Sequence, residues 1–178
     1  TRLFYDLAAG MASSHEITKI LETLTKDVSK ALDVKAATIR LLADDGTTLR
    51  LAASHGLSEE YLRKGPVSAE RSIAETLKGK PVVVKDASLD PGVQYREEKL
   101  REGIVSILSV PIMSGEAVIG VLRLYSDRER EFTEEEIQFA SALALFGGIA
   151  IGNVKLYASM ESDIRDLREN YWIFKTWY

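Results

Sequence analysis

Two arginines stand where arginine is costly. Arg40 lies in "AATIRLLA" (36–43) and Arg123 in "GEAVIGVLRLYS" (115–126), both otherwise apolar runs with the character of strands. A guanidinium inside a covered sheet costs several kcal/mol unless something pairs with it. Two readings stay open. In one, each arginine sits at an edge, snorkels, or pairs with a loop glutamate. In the other, both line a small cavity and meet an anionic ligand, which suits a planar fork that is always charged. Other groups of catalytic type are scarce. The chain has no cysteine and only two histidines, His15 and His55. Disulfides, thiolate nucleophiles, cysteine-based zinc sites and thioether-linked cofactors therefore drop out. No His-x-x-x-His pair is present, and a metal site would have to be built mostly from carboxylates. No nucleophile–base pair stands in a recognisable motif, and the acidic residues fall in charge runs that ordinarily face solvent. The expectation is a non-catalytic domain without a resident metal.

The elements that position these residues can be read from the pattern. With 178 residues, 46% hydrophobic and 28% charged, the chain has the balance of one globular domain with a core. A net charge of −4 gives no sign of a nucleic-acid binder, and no apolar run is long enough to span a bilayer. The start, "TRLFYDLAAG", lacks the layout of a signal peptide and does not begin with Met, so a cytoplasmic fragment or processed product is expected. Residues 3–12 have helical character, and Ser13 with Glu16 forms a capping box opening a second helix through Leu32. Two strands follow around Asp45-Gly46, a favoured hairpin turn. "GLSEEYLRKG" and "AERSIAETLKGKP" read as helices, "VVVKD" as a short strand, and 87–102 as a polar loop with a short helix. Thr133 and Glu136 form another capping box, opening a helix to about residue 170 whose small residues at 140, 144, 148 and 152 favour close approach, with a bend at Gly147-Gly148 conceivable. The order of elements is α+β, with helices segregated on an antiparallel sheet.

The hairpins assign faces. With Ser114-Gly115 as the turn, Arg123 falls opposite Ser106 and beside Tyr125, while Gly120 faces Ser109 on a smooth apolar face suited to a packed helix. With Asp45-Gly46 as the turn, Thr38, Arg40 and Leu42 share a face with Ala53, Leu51 and Leu49, and His55 lies further along it. Both faces of the later hairpin are too apolar for water, so each must be covered.

Taken in order, "IRLLADDGTTLRLAASHGL", "SIAETLKGKPVVVKD", "GIVSILSVPI", "GEAVIGVLRLYS", "FTEEEIQFASALA" and "IAIGNVKLY" resemble a GAF domain, the small-molecule sensor module of bacterial signalling proteins. The resemblance covers residues 14–160. It implies a central antiparallel sheet of five or six strands, with the N- and C-terminal helices on one face. Loops and short helices cover a ligand pocket on the other. It also implies that the strands of Arg40 and Arg123 are neighbours, and that 87–102 is part of a lid with Tyr95 as a contact. The implied ligand-binding set is Arg40, His55, Tyr95, Ser106, Arg123 and Tyr125, facing a small molecule for which the arginines suggest negative charge. Bilin-attaching and sulfoxide-reducing members use cysteines, which this chain lacks. Members that bind cyclic nucleotides carry an Asn-Lys-Phe-Asp-Glu set; here Phe132 matches its Phe, but Glu136-Ile137 replaces Asp-Glu and "SDRERE" offers no Asn-Lys. Haem would have to rely on His55. No bilin, haem or cyclic nucleotide is therefore expected.

The last helix continues as "KLYASMESDIRDLRENYWIFKTWY", where Ile164, Leu167, Tyr171 and Trp172 are candidates for a dimer or relay helix. Residues 1–13 then read as an incoming signalling linker, 14–160 as the sensor domain and 161–178 as an outgoing helix and tail. The expected function is regulatory sensing in a bacterial signal-transduction protein such as a sensor histidine kinase, in a homodimer linked to an output domain. The alternative is a dimerisation and relay scaffold with no ligand. No nucleic acid and no membrane insertion are expected.

Overall fold

Strand β1, Ala36–Leu42, and strand β6, Ala117–Ser126, pair antiparallel at the centre of a six-stranded sheet. The computed structural model describes residues 14–65, 67–68 and 74–175, and of 14, 154–159, 161–162, 168 and 170–175 only the backbone. The other strands are β2 (Thr48–His55), β3 (Val67–Ser68), β4 (Val82–Val84) and β5 (Ser106–Ser114). Their order across the sheet is β3-β2-β1-β6-β5-β4. Every pairing is antiparallel. Among the described residues, four helices accompany them: α1 (Ser14–Ala31), α2 (Glu59–Leu62), α3 (Arg96–Glu102) and α4 (Glu134–Lys175), with a 3-10 turn at Thr76–Lys78.

One face of the sheet carries the main core. Ala37 and Ile39 of β1, Leu122 and Leu124 of β6, and Leu108, Val110 and Ile112 of β5 pack with Ile17, Ile20, Leu21 and Val28 of α1 and with Ala140, Ala144 and Ile151 of α4. Burial of this apolar surface, at about 25 cal/mol per Å², is what holds the two long helices down. The expected small residues of α4 serve this approach: a Cβ on Gly148 would lie 2.1 Å from Met113 O, so the helix backbone rests directly on β5. Gly120 plays a different part from the one expected. A Cβ there would meet Arg40 O at 2.4 Å, so its absence lets β6 close on β1 rather than on a helix.

The second capping box forms as predicted. Thr133 N donates to Glu136 Oε1 at 3.0 Å, and Glu136 N donates to Thr133 Oγ1 at 3.1 Å. From there α4 runs unbroken through Gly147-Gly148 for 42 residues. The first capping residue, Ser13, and the predicted helix over 3–12 lie outside the described residues. The predicted helix over "AERSIAETLKGKP" is described only from residue 74, where it is a 3-10 turn ended by Gly79 at φ +92°. Strand β3 had no clear pattern in the sequence.

At one corner the ends of the two long helices are tied together. The Arg130 guanidinium donates to Leu32 O at 2.9 Å and Asp33 O at 3.2 Å, bonds the Glu136 carboxylate, and stacks 4.6 Å from the centre of the Phe132 ring. It thus satisfies carbonyls past the end of α1 and braces the capping residue of α4. Phe132 and Glu136 are committed to this corner.

Candidate functional site

The opposite face of the sheet is where the arginines lie. β1 contributes Ala36, Thr38 and Arg40; β6 contributes Tyr125, Arg123 and Val121, paired with them in that order. The neighbouring strands place Arg40 and Arg123 diagonally next to each other, as expected. Both are almost fully buried, at 5% and 3% exposure. On one side is an apolar patch of Ala36, Tyr61, Ala87, Ile104, Ile107 and Tyr125; on the other is one of Leu49, Val67 and Val121. The two guanidinium groups are therefore enclosed by apolar surface, where an unpaired charge is costly.

Two details of the sheet differ from the expected register, and each removes a predicted residue from this face. The β5–β6 turn is Gly115-Glu116, with Ser114 paired to Ala117, and Ile119 is an extra residue between the Ile112–Gly120 and Met113–Val118 pairs. The turn moves the register by two, which keeps the faces; the bulge adds one more, which exchanges them. Ser109 consequently sits opposite Arg123, and Ser106 pairs with Ser126 and donates to Arg128 O at 2.8 Å. Ser106 is thus on the other face. In the first hairpin, Arg40 pairs with Leu51 and Leu42 with Leu49 as expected, but Ala52 bulges, so Ile39 pairs with Ala53 and Ala37 with His55. His55 is accordingly on the helix side, bordering a hollow formed with Lys19, Glu22, Thr23 and Lys26 of α1. It is not brought to the arginines, and a haem held by His55 could not share their site.

Tyr125 and Tyr95 do come to this face. The Tyr125 hydroxyl lies 3.2 Å from Thr38 Oγ1, and its ring is 5.5 Å from Arg123 Cζ and 6.4 Å from the Tyr61 ring in an edge arrangement. Tyr95 opens α3 in the left-handed conformation, φ +57°. Its hydroxyl oxygen would be 2.5 Å from any Cβ at position 65, which is occupied by Gly65 at φ +134°. Glycine here lets the loop after α2 and the loop before α3 close against each other. Parts of the segment 87–102 thus pack on this face of the sheet.

Sequence reasoning missed the groups these loops bring in. Tyr61, from α2, is buried; Lys64 Nζ stands 3.9 Å from the centre of its ring. Lys99, from α3, lies 5.8 Å from the Tyr61 ring and 5.9 Å from the Tyr95 ring, and its Nζ donates to Gln94 O at 2.5 Å. Among the described residues, no carboxylate forms an ion pair with Arg40, Lys64, Lys99 or Arg123. Three buried polar atoms of this cluster find no partner among the described residues: Arg40 Nε, Arg123 Nε and Tyr61 Oη.

The electrostatics follow from burial without counter-charge. Desolvation, then repulsion by Arg123, Lys64 and Arg40, pushes Lys99 down to about 6. Desolvation, then Arg40 and Arg123, brings Lys64 down to about 8. Burial lowers Arg40, with Tyr125 opposing and Arg123 adding to the shift. Burial, and then Tyr125, raises Tyr61 well above the ordinary tyrosine range. Chemically, this is a cluster of donors and cations on one face of the sheet, of the kind that pairs with an oxyanion. No group of three or more metal-ligating side chains occurs among the described residues.

The predicted relay helix is seen only in part. Ile164 and Leu167 are exposed on α4, at 50% and 68%. Tyr171 and Trp172 lie on its backbone, but their side chains are outside the described residues, as are those of Phe174, Trp177 and Tyr178. No described helix is long and apolar enough to cross a membrane.

Comparison with known proteins accords with this geometry. The chain is 26% identical over 176 residues to the Nif-specific regulatory protein of Herbaspirillum seropedicae, a match covering 93% of this chain and 31% of that regulator. The chain thus spans about a third of the length of the curated relative it matches. A domain of a protein described as a two-component sensor histidine kinase from Sinorhizobium meliloti is 25% identical, with a TM-score of 0.67, over 80% of this chain and 95% of that one. The GAF domain of a phosphoenolpyruvate-protein phosphotransferase from Coxiella burnetii shares the fold at 20% identity and a TM-score of 0.72, over 88% of this chain and 96% of that one. The GAF domain profile matches residues 16–151, which take in the whole sheet, nearly all of α1 and α4 as far as Ile151, and the chain belongs to the GAF domain family.

Proposed function

We propose that this GAF domain is a regulatory sensor of a small anionic molecule, acting within a larger signalling protein and passing ligand state to an output domain through its terminal helices. The observation that carries the reading is the buried set of Arg40, Lys99 and Arg123 with the half-buried Lys64 beside it, with no paired carboxylate among the described residues. Buried charge of one sign is strongly unfavourable unless a ligand compensates it. The route outward is short. Thr38 and Arg40 alternate along β1 with Ala37 and Ile39, and Arg123 on β6 with Leu122 and Leu124. The alternate residues belong to the core on which α1 and α4 rest. A ligand that binds one arrangement of β1 and β6 better than another shifts the seating of both helices. On this reading the domain is regulatory rather than catalytic, works in the cytoplasm, and needs no haem, bilin or metal.

Thermal-shift screening with anionic metabolites, alongside native mass measurement of protein purified without added ligand, tests it. At least one anion is expected to raise the melting temperature of the wild type and to have no such effect on Arg123→Ala. If no compound stabilises the protein and Arg123→Ala leaves signalling unchanged, the reading fails.

A second reading, a dimeric relay scaffold, is supported by the exposed apolar residues Leu145, Ile149, Met160, Ile164 and Leu167 along α4. Helical spacing makes these a stripe available to a second copy. Light scattering decides it: a monomer at high concentration removes this reading and leaves the sensor reading intact.

A further inference from the structure

Lys99 is the residue whose placement is hardest to explain by folding alone. "REEKLRE" is a charge run, yet in α3 the usual roles invert: Leu100 is 71% exposed and Lys99 is 2% exposed. A helix laid on a protein ordinarily turns its leucine in and its lysine out. The inward ammonium position uses one donor, to Gln94 O, of the three it has. Facing it are Arg123 from β6, Arg40 from β1, Tyr61 and Lys64 from α2 and the turn after it, and Tyr95 at the start of its own helix. Among the described residues, Glu98 favours its charge less than the three cations oppose it and is itself paired with Arg101, while Glu102 acts on the neighbouring Lys64 and Tyr61.

We propose that this site takes a small dianion and that Lys99 supplies one of the positive charges that hold it, together with Arg40 and Arg123. The inference rests on the sensor reading and specifies its ligand. A monoanion would leave most of the surrounding charge uncompensated in an apolar enclosure. Two formal charges on several oxygens answer both the charge and the orphan donors at Arg40 Nε, Arg123 Nε and the Tyr61 hydroxyl. A phosphate ester and a dicarboxylate share this chemistry.

A measurable consequence separates this from a structural role. In the empty site Lys99, at about 6, is mostly an uncharged amine near neutral pH. An arriving dianion favours the ammonium, so binding takes up a proton. The bound state then holds more protons than the free one, and affinity falls as pH rises above about 6, approaching tenfold per pH unit.

The test is calorimetric titration of the full 178-residue chain with sodium sulfate, sodium succinate or sodium acetate at constant ionic strength. It is run in two buffers of different ionisation enthalpy near neutral pH. Sulfate and succinate keep both charges there, so pH dependence belongs to the protein, and the better of the two tells a tetrahedral oxyanion from a dicarboxylate. One of them is expected to bind about tenfold or more tighter than acetate with uptake of about one proton by linkage. Lys99→Met is expected to lose the uptake and most of the affinity. Lys99→Arg, charged at every accessible pH, is expected to bind without uptake, which covers the case that Lys99→Met folds poorly. Uptake that survives in Lys99→Arg, or acetate binding as well as both dianions, overturns the inference while leaving the sensor reading standing. Binding of neither dianion also overturns it, and the Arg123→Ala comparison then decides separately whether the sensor reading falls.

Discussion

Arg130 and the pair Arg40–Arg123 are the same side chain in two kinds of surroundings. Arg130 has its charge met by Glu136 and its donors taken by Leu32 O and Asp33 O. Arg40 and Arg123 are more deeply buried and have their Nε atoms unpartnered, with no carboxylate paired to them among the described residues. A buried charge with a full set of partners fixes a structure; one without them is a structure prepared for something else. The difference lies in where the chain closes. The corner around Arg130 joins two helix ends by adjacent backbone, whereas the arginine face is closed by loops that bring further cations.

Mutation should separate these roles, beginning with the largest effect. Arg130→Met leaves Glu136 and two carbonyls without their donor, and is expected to cost about 3 kcal/mol and lower the melting temperature on the order of 10 °C by calorimetry. An unchanged melting temperature would remove one side of the comparison. Arg123→Met is expected to act in the opposite direction in ligand-free protein, stabilising by about 1–2 kcal/mol in denaturant titration because an uncompensated charge is replaced by apolar volume. Destabilisation comparable to that of Arg130→Met would instead give Arg123 an internal structural partner.

Lys99 sharpens the contrast through pH. Its folded value is about 6 against 10.5 for the free side chain, so between these limits the unfolded chain binds more protons. Stability of the ligand-free protein should therefore rise with pH from about 6 towards 10, by up to roughly 1.4 kcal/mol per unit at first. Lys99→Met should flatten the rise in denaturant titrations between about pH 6 and 8, leaving above pH 8 the smaller rise that Lys64, at about 8, contributes. A flat wild-type profile would show that Lys99 remains charged when the site is empty. At the small end is Arg63, paired with Glu59 in full solvent view. Arg63→Ala should change stability by about 0.5 kcal/mol or less in the same assay, which makes it the control for arginine removal as such.

Much of the fold was legible because periodicity and caps are local. The Thr133–Glu136 box, the hairpin around Asp45-Gly46 (a four-residue loop over 44–47 rather than the two-residue turn expected) and the apolar stripe of α1 each depend on residues a few positions apart. The arginines and Tyr125 were legible because an unusual residue in an apolar strand stands out, whereas Tyr95 was reached only through the resemblance to a known family. His55 and Ser106 were misplaced by Ala52 and Ile119, single extra residues that no turn motif announces. Since side chains alternate along a strand, one unpaired residue exchanges everything beyond it. Lys99 and Lys64 were hidden differently, inside charge runs whose ordinary place is in water. Only the meeting of α2 with α3, more than thirty positions apart in the chain, turns them inward.

Gly148 touches β5 with no side chain between, and α4 continues for 27 residues beyond it to Lys175. That contact is a fulcrum near one end of a long rod. The far arm measures about 40 Å at 1.5 Å per residue, so a tilt of about 5° at the sheet becomes a displacement of about 3–4 Å at the tip. On the proposed sensor reading a ligand need not push far: a rearrangement smaller than a rotamer change at β5 and β6 becomes, at the tip of α4, a movement the width of an atom.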